Sequence, residues 1–121
     1  VDSGRRFAPV AMLKQMMDAM SYSKLNVLHL HLSDWPGVRL EVPGLPELTA
    51  GLNGQFYTEA DVKEIVDYGF LRGIRIVPEI DVPSHAMGFK PLESRGLKFC
   101  DENKLQIYND PDGVGLGFVK V

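Results

Sequence analysis

Two short, nearly continuous apolar runs, each preceded by a helical stretch, constrain this chain most. The first spans Lys24 to Ser33 and carries Val27, Leu28, Leu30 and Leu32; the second runs from Ile74 to Ile80. Runs of this length and character are strands covered on both faces, as in parallel sheets. Residues 9–23 have helical spacing instead. Val10, Leu13, Met17 and Met20 form one stripe, and Pro9 suits the first turn. A second helix opens at Thr58, with Asp61 placed to complete a capping box. Val62, Ile65, Val66 and Gly69 line one of its faces, and Gly73 ends it. The order helix, strand, helix, strand implies parallel strands joined by crossover helices. Val1-Asp2 reads as the end of an earlier strand. Residues 34–57 read as a long loop punctuated by Pro and Gly, and residues 83–109 as an irregular stretch. Asp110-Pro111 reads as the start of a third helix. Gly113, Gly115 and Gly117 make it a poor one, since each mid-helix Gly costs about 1 kcal/mol against Ala.

Alternation assigns faces. Leu28, Leu30 and Leu32 point one way; Val27, His29, His31 and Ser33 point the other. In the next strand Ile74, Ile76, Pro78 and Ile80 share a face, opposite Arg75, Val77, Glu79 and Asp81. Each strand therefore has an aliphatic side for helices and a side that turns polar toward its C-terminal end. A barrel interior with a site at its C-terminal mouth has this pattern, and a doubly wound sheet has less of it. The fold class expected is α/β: a partial (β/α)8 TIM barrel, roughly the first three β/α units, with residues 1–121 as one partial catalytic domain.

Three polar residues fall just past strand ends: Arg5, Asp34 and His85. In a barrel their loops converge on one mouth. Each also has a plainer reading: Arg5 as a solvated neighbour of Arg6, Asp34 as a turn residue before Trp35-Pro36. His29 reads as a satisfied interior histidine, and His31 lies nearer the mouth. Glu79 and Asp81 need partners, because an unpaired buried charge is too costly. Whether that pairing is structural or catalytic, spacing does not decide.

Composition narrows the classes. A net charge of -3 and a pI near 5.5 argue against a nucleic-acid partner. No apolar run approaches the roughly 18 residues of a membrane span. No signal peptide precedes Val1, and the missing initiator Met hints at upstream sequence. Cys100 is the single cysteine, so it has no internal disulfide partner and reads as a small hydrophobe.

Three stretches together resemble the β-N-acetylhexosaminidases of glycoside hydrolase family 20. They are Asp2-Ser3-Gly4-Arg5-Arg6-Phe7, then residues 24–34 with His29-Leu30-His31-Leu32-Ser33-Asp34, then residues 72–85 with Pro78-Glu79-Ile80-Asp81-Val82-Pro83-Ser84-His85. Tyr57-Thr58 and Asn109-Asp110-Pro111 extend the resemblance. It implies removal of terminal N-acetylglucosamine or N-acetylgalactosamine by substrate-assisted retention, an exception to the two-carboxylate scheme. The sugar's acetamido oxygen attacks the anomeric carbon, an Asp holds that group, and the adjacent Glu is acid and base. Arg5 matches the arginine that holds hydroxyls of the terminal sugar. Asp34 and His85 match residues that support the acid/base carboxylate. His31, Glu79 and Asp81 are candidates for interior support. The resemblance implies N-acetylhexosamine-terminated glycans or chitooligosaccharides as partners, no cofactor, no metal, and a secreted, lysosomal or periplasmic setting.

The sequence departs from the family pattern at Leu30, usually aromatic, at Trp35, commonly acidic or Asn, and at Ser84, commonly Gly. The catalytic Asp-Glu pair, which follows Gly-Gly in the family, does not occur in these 121 residues. Asp101-Glu102 has no preceding glycines and is a weak substitute. The chain is therefore expected to be a fragment, inactive alone. Two other readings stand beside this one. One is a non-catalytic or degenerate sugar-binding protein. The other is a metal-dependent hydrolase barrel built on His29 and His31.

Overall fold

Val27–His31 forms a strand (β1) that pairs in parallel with Arg75–Glu79, in the register Val27 to Arg75 through His31 to Glu79. The structure, a computed structural model, describes residues 1–98. On the other side of β1, Asp2 bridges His31 in parallel, with the His31 N–H on the Val1 carbonyl at 2.9 Å. The lateral order is thus Val1-Asp2, β1, then the strand at 75–79, which is chain order. The expected strand stub at Val1-Asp2 is present as this single bridge.

Helix α1 covers Val10–Tyr22, with Pro9 as its N-cap. Its Leu13 and Met17 are fully buried against Leu28, Leu30 and Ile74. Truncating such a residue to Ala costs about 2–5 kcal/mol. Lys24, at φ 59°, then turns the chain back, and the Leu25 N–H reaches the Met20 carbonyl at 2.9 Å. This left-handed turn is why the strand begins at Val27 and not at Lys24.

The loop expected over residues 34–57 contains small ordered pieces. Ser33–Asp34 (β2) and Gly37–Val38 (β3) form an antiparallel hairpin around Trp35-Pro36. Glu47–Ala50 is a single helical turn (α2), and Leu40 bridges Tyr57. Helix α3, Glu59–Phe70, carries the expected capping box: Thr58 N–H donates to Asp61 Oδ2 at 2.9 Å and Asp61 N–H to Thr58 Oγ1 at 3.2 Å. Gly73, at φ +67°, ends it with Ile74 N–H on the Gly69 carbonyl.

Ile65 and Gly69 face the core as expected, and Val62 packs at its edge. Val66 shares this face, lining an apolar groove with Val62, Ile65, Leu30, Ile76 and Pro78, and is 45% exposed. Gly69 brings α3 against the second strand, where an added Cβ would sit 2.9 Å from the Ile74 carbonyl. That strand, Arg75–Glu79, is β4. After it, Met87–Arg95 is a 3-10 helix containing Pro91, a segment read from sequence as irregular. Cys100, Asp101-Glu102 and the helix expected from Asp110-Pro111 lie outside the described residues.

The face assignments hold where helices cover them. Leu28, Leu30 and Leu32 are each 3% exposed. Leu30, where the family pattern has an aromatic, packs into this helix-side core and away from the polar face.

Candidate active site

Arg5, Asp34 and His85 meet in space. Asp34, at the end of β2, has a side chain with no solvent exposure. Its Oδ2 accepts from Arg5 Nη2 at 2.8 Å and lies 3.0 Å from His85 Nδ1. Its Oδ1 accepts the Trp35 N–H at 2.7 Å, so the turn role and the site role coexist in one side chain. An ionised carboxylate only accepts, so His85 Nδ1 carries the proton and donates it to Asp34. Arg5 Nη2, 3.2 Å from the same nitrogen, is then a neighbour and not its donor. In the neutral ring this contact selects the tautomer whose Nε2 is the acceptor. His85 sits at φ 55°, a conformation uncommon for any residue with a Cβ and one that clusters at functional sites.

Arg5 has a second carboxylate. Asp2 Oδ2 accepts from Arg5 Nη1 at 2.7 Å, and Asp2 Oδ1 accepts the Arg5 backbone N–H at 3.2 Å. Partial burial pushes the Asp2 carboxyl up, but the Arg5 bonds and charge outweigh it and hold the group below its ordinary value.

The loop that carries Arg5 is anchored from beneath by two residues that the sequence did not single out for this. Arg39, only 2% exposed, donates from Nε to the Ser3 and Gly4 carbonyls at 3.1 and 3.2 Å and from Nη1 to the Gln55 carbonyl at 2.9 Å. Burial pulls its guanidinium below the ordinary value, with Tyr57 opposing. The Tyr57 hydroxyl donates to the Ala8 carbonyl at 2.5 Å and pairs with Ser3 Oγ at 2.9 Å. Burial pushes that phenol up. The available signal was a charged residue between apolar Val38 and Leu40 two positions after a turn. That alternation places Arg39 with neither face resolved.

The remaining candidates lie on the polar face of the sheet. His29 Nε2 pairs with Glu79 Oε2 at 2.5 Å, diagonally between β1 and β4, since the register partner of His29 is Val77. His29 is thus satisfied, as expected, with its side chain 58% exposed among the described residues. His31 Nδ1 lies 2.9 Å from Asp2 Oδ1, and its Nε2 lies 3.5 Å from Asp81 Oδ2 without a hydrogen bond among the described residues. The Asp81 N–H donates to Ser33 Oγ at 2.9 Å, which ties the loop after β4 to β2. Glu79 thus has His29 as its partner, the Asp81 carboxylate has, among the described residues, only the His31 ring at 3.5 Å, and both carboxylates are partly exposed. His31, Glu79 and Asp81 present ligand atoms within 4.8 Å of one another, the one such group among the described residues. It contains a single one of the two strand histidines, and Glu79 is already engaged by His29. His29 therefore lies outside the group that His31 joins among the described residues.

The model of glycosyl hydrolase family 20, catalytic domain, matches residues 1–110. Beta-hexosaminidase 3 of Arabidopsis thaliana is 43% identical over 91 residues, 74% of this chain and 17% of the plant protein. A beta-N-acetylhexosaminidase of Cellulomonas fimi is 45% identical over 93 residues, covering 70% of this chain and 19% of its own. Among solved structures, the Flavobacterium johnsoniae chitobiase superposes with a TM-score of 0.73 at 40% identity, over 78% of this chain and 15% of that one. The chain spans less than a fifth of the length of each of these three proteins. No helix among the described residues is long and apolar enough to cross a membrane.

Proposed function

This chain belongs to glycosyl hydrolase family 20, and on that premise we propose that the whole protein removes terminal N-acetylhexosamine from glycans or chitooligosaccharides. The observation that carries the reading is the shared Asp34 Oδ2, which gathers Arg5 and His85 at one point beyond the strand ends. In this reading residues 1–121 are one partial catalytic domain, the opening β/α units of a (β/α)8 barrel. The parallel order of Val1-Asp2, β1 and β4 supports that placement.

The roles follow from the chemistry of the groups. Arg5 offers N–H donors in a fixed plane to the hydroxyls of the terminal sugar. His85, its tautomer set by Asp34, presents Nε2 as an acceptor to the carboxylic acid that protonates the leaving oxygen. An acceptor there orients the acid and tunes its proton affinity. Glu79, Asp81 and His31 support the interior face below. The acid/base carboxylate and its acetamido-holding partner come from elsewhere in the protein, because no Gly-Gly-Asp-Glu sequence occurs in these 121 residues.

The test is turnover of p-nitrophenyl N-acetyl-β-glucosaminide and its galacto epimer by the whole protein, with retained anomeric configuration in the first product. No turnover of either would overturn the reading. The isolated 121 residues should show none, since they hold sugar-contacting and supporting groups without the acid/base pair. A non-catalytic sugar-binding protein would instead bind N-acetylglucosamine without hydrolysing any glycoside.

A further inference from the structure

We propose that Asp2 is a positioning residue for substrate binding, setting the Arg5 guanidinium at the mouth and being itself set by His31. The proposal rests on the reading of Arg5 as the sugar-holding arginine. Arg5 stands on a loop with its side chain 39% exposed, where a free arginine would sample many rotamers. Two carboxylates remove that freedom. Asp34 takes Nη2 at 2.8 Å, and Asp2 takes Nη1 at 2.7 Å. Each fork nitrogen is therefore held by its own charged acceptor, which fixes the plane of the guanidinium as well as its position.

Asp2 is well placed to act as this reference point. It sits in the parallel bridge to His31, so its backbone is part of the sheet. Its Oδ1 also meets His31 Nδ1 at 2.9 Å and the Arg5 backbone N–H at 3.2 Å. The two oxygens thus divide their work. Oδ1 is fixed to the strand and to the local backbone, and Oδ2 is given to the guanidinium. His31 is mostly buried, so a partly exposed carboxylate is clamped by an immobile ring. The geometry gives the interior support expected of His31 a specific form. His31 acts on substrate through Asp2 and Arg5, with no need to touch the sugar.

The test uses the whole protein with Asp2→Asn, Arg5→Lys and the double variant. Substrates are p-nitrophenyl N-acetyl-β-glucosaminide and its 3-deoxy and 4-deoxy analogues. Asp2→Asn should lower kcat/KM about tenfold on the parent substrate, mostly through KM, which corresponds to one misaligned charge-assisted contact. On the analogue lacking the hydroxyl that Arg5 holds, the loss should shrink to less than about threefold. In the Arg5→Lys background Asp2→Asn should add almost nothing. Equal losses on all three substrates, or additive losses in the double variant, would overturn the proposal in favour of a merely structural carboxylate. Asp2→Glu, which keeps the charge and moves it by one methylene, takes the same test should Asp2→Asn fail to fold; full activity in Asp2→Glu would overturn it. A wild-type protein without N-acetylhexosaminidase turnover would remove the underlying reading. An active wild type with an unaffected Asp2→Asn variant would remove this proposal alone.

Discussion

Replacing Asp34 by Asn keeps the shape of the side chain and removes its charge, which isolates what the carboxylate does. In the wild type its two oxygens serve Arg5 Nη2, His85 Nδ1 and the Trp35 N–H, on a side chain with no exposure. An amide has one oxygen, so one end must become a donor facing other donors. Each hydrogen bond to a charged group contributes about 1.5–3 kcal/mol. Arg5 and His85 keep 39% and 32% side-chain exposure, so water recovers part of that loss. A net loss of about 3 kcal/mol in the arrangement is reasonable, and it corresponds to about a hundredfold in kcat/KM at 1.36 kcal/mol per decade. The two arms predict different parameters. Misdirected Arg5 raises KM; a His85 freed to take the other tautomer lowers kcat. Initial rates of the whole protein on p-nitrophenyl N-acetyl-β-glucosaminide, with thermal melting as the control for folding, measure both. In a cycle with His85→Ala, the double variant should lose little more kcat than His85→Ala alone. Asp34→Asn activity within threefold of wild type, or fully additive losses in the cycle, would refute the reasoning.

Arg39→Met should destabilise the protein by about 3 kcal/mol, since three backbone carbonyls lose a charged donor, read as a lowered urea midpoint. Thr58→Ala should cost about 1 kcal/mol through the lost capping box, read the same way, and should leave kcat untouched. Gly88→Ala places a Cβ 2.7–2.9 Å from backbone atoms of Gly37 and Asp34, so it should displace the β2–β3 hairpin and reduce activity beyond any loss of stability. The Asp2 carboxyl lies below its ordinary value of 3.8 when folded. It therefore adds stability above that pH, and the contribution fades as pH falls through 3.8 toward the lower folded value. Asp2→Asn should flatten that acid limb of the stability curve, and an unchanged limb would count against the Arg5 pairing.

The elements most legible in the sequence were those whose signal is local. Leu13, Met17, Leu28, Leu30 and Ile65 declared their burial by period alone, and Thr58 with Asp61 declared a helix start three residues apart. Arg5, Asp34 and His85 could be brought together because strand ends in a parallel α/β fold share one side. Partners set by lateral contact were not legible. Asp2 read as a strand remnant, yet its side chain holds Arg5 and His31. Arg39 and Tyr57 act on backbone carbonyls of a loop more than thirty residues earlier, and carbonyls leave no mark in a sequence. The β2–β3 hairpin escaped because two-residue strands are too short for alternation to register. Val66 keeps the face that periodicity gave it, beside Val62 and Ile65, and is 45% exposed because periodicity does not say how far a neighbour covers that face.

His85 carries a tension between folding and use. Its φ of 55° costs about 1–2 kcal/mol for a side chain with a Cβ, and glycine or asparagine would relieve it. Replacing His85 by Asn should therefore stabilise the fold while removing the imidazole from the site. The contact of His85 with Asp34 is thus kept against a local backbone cost.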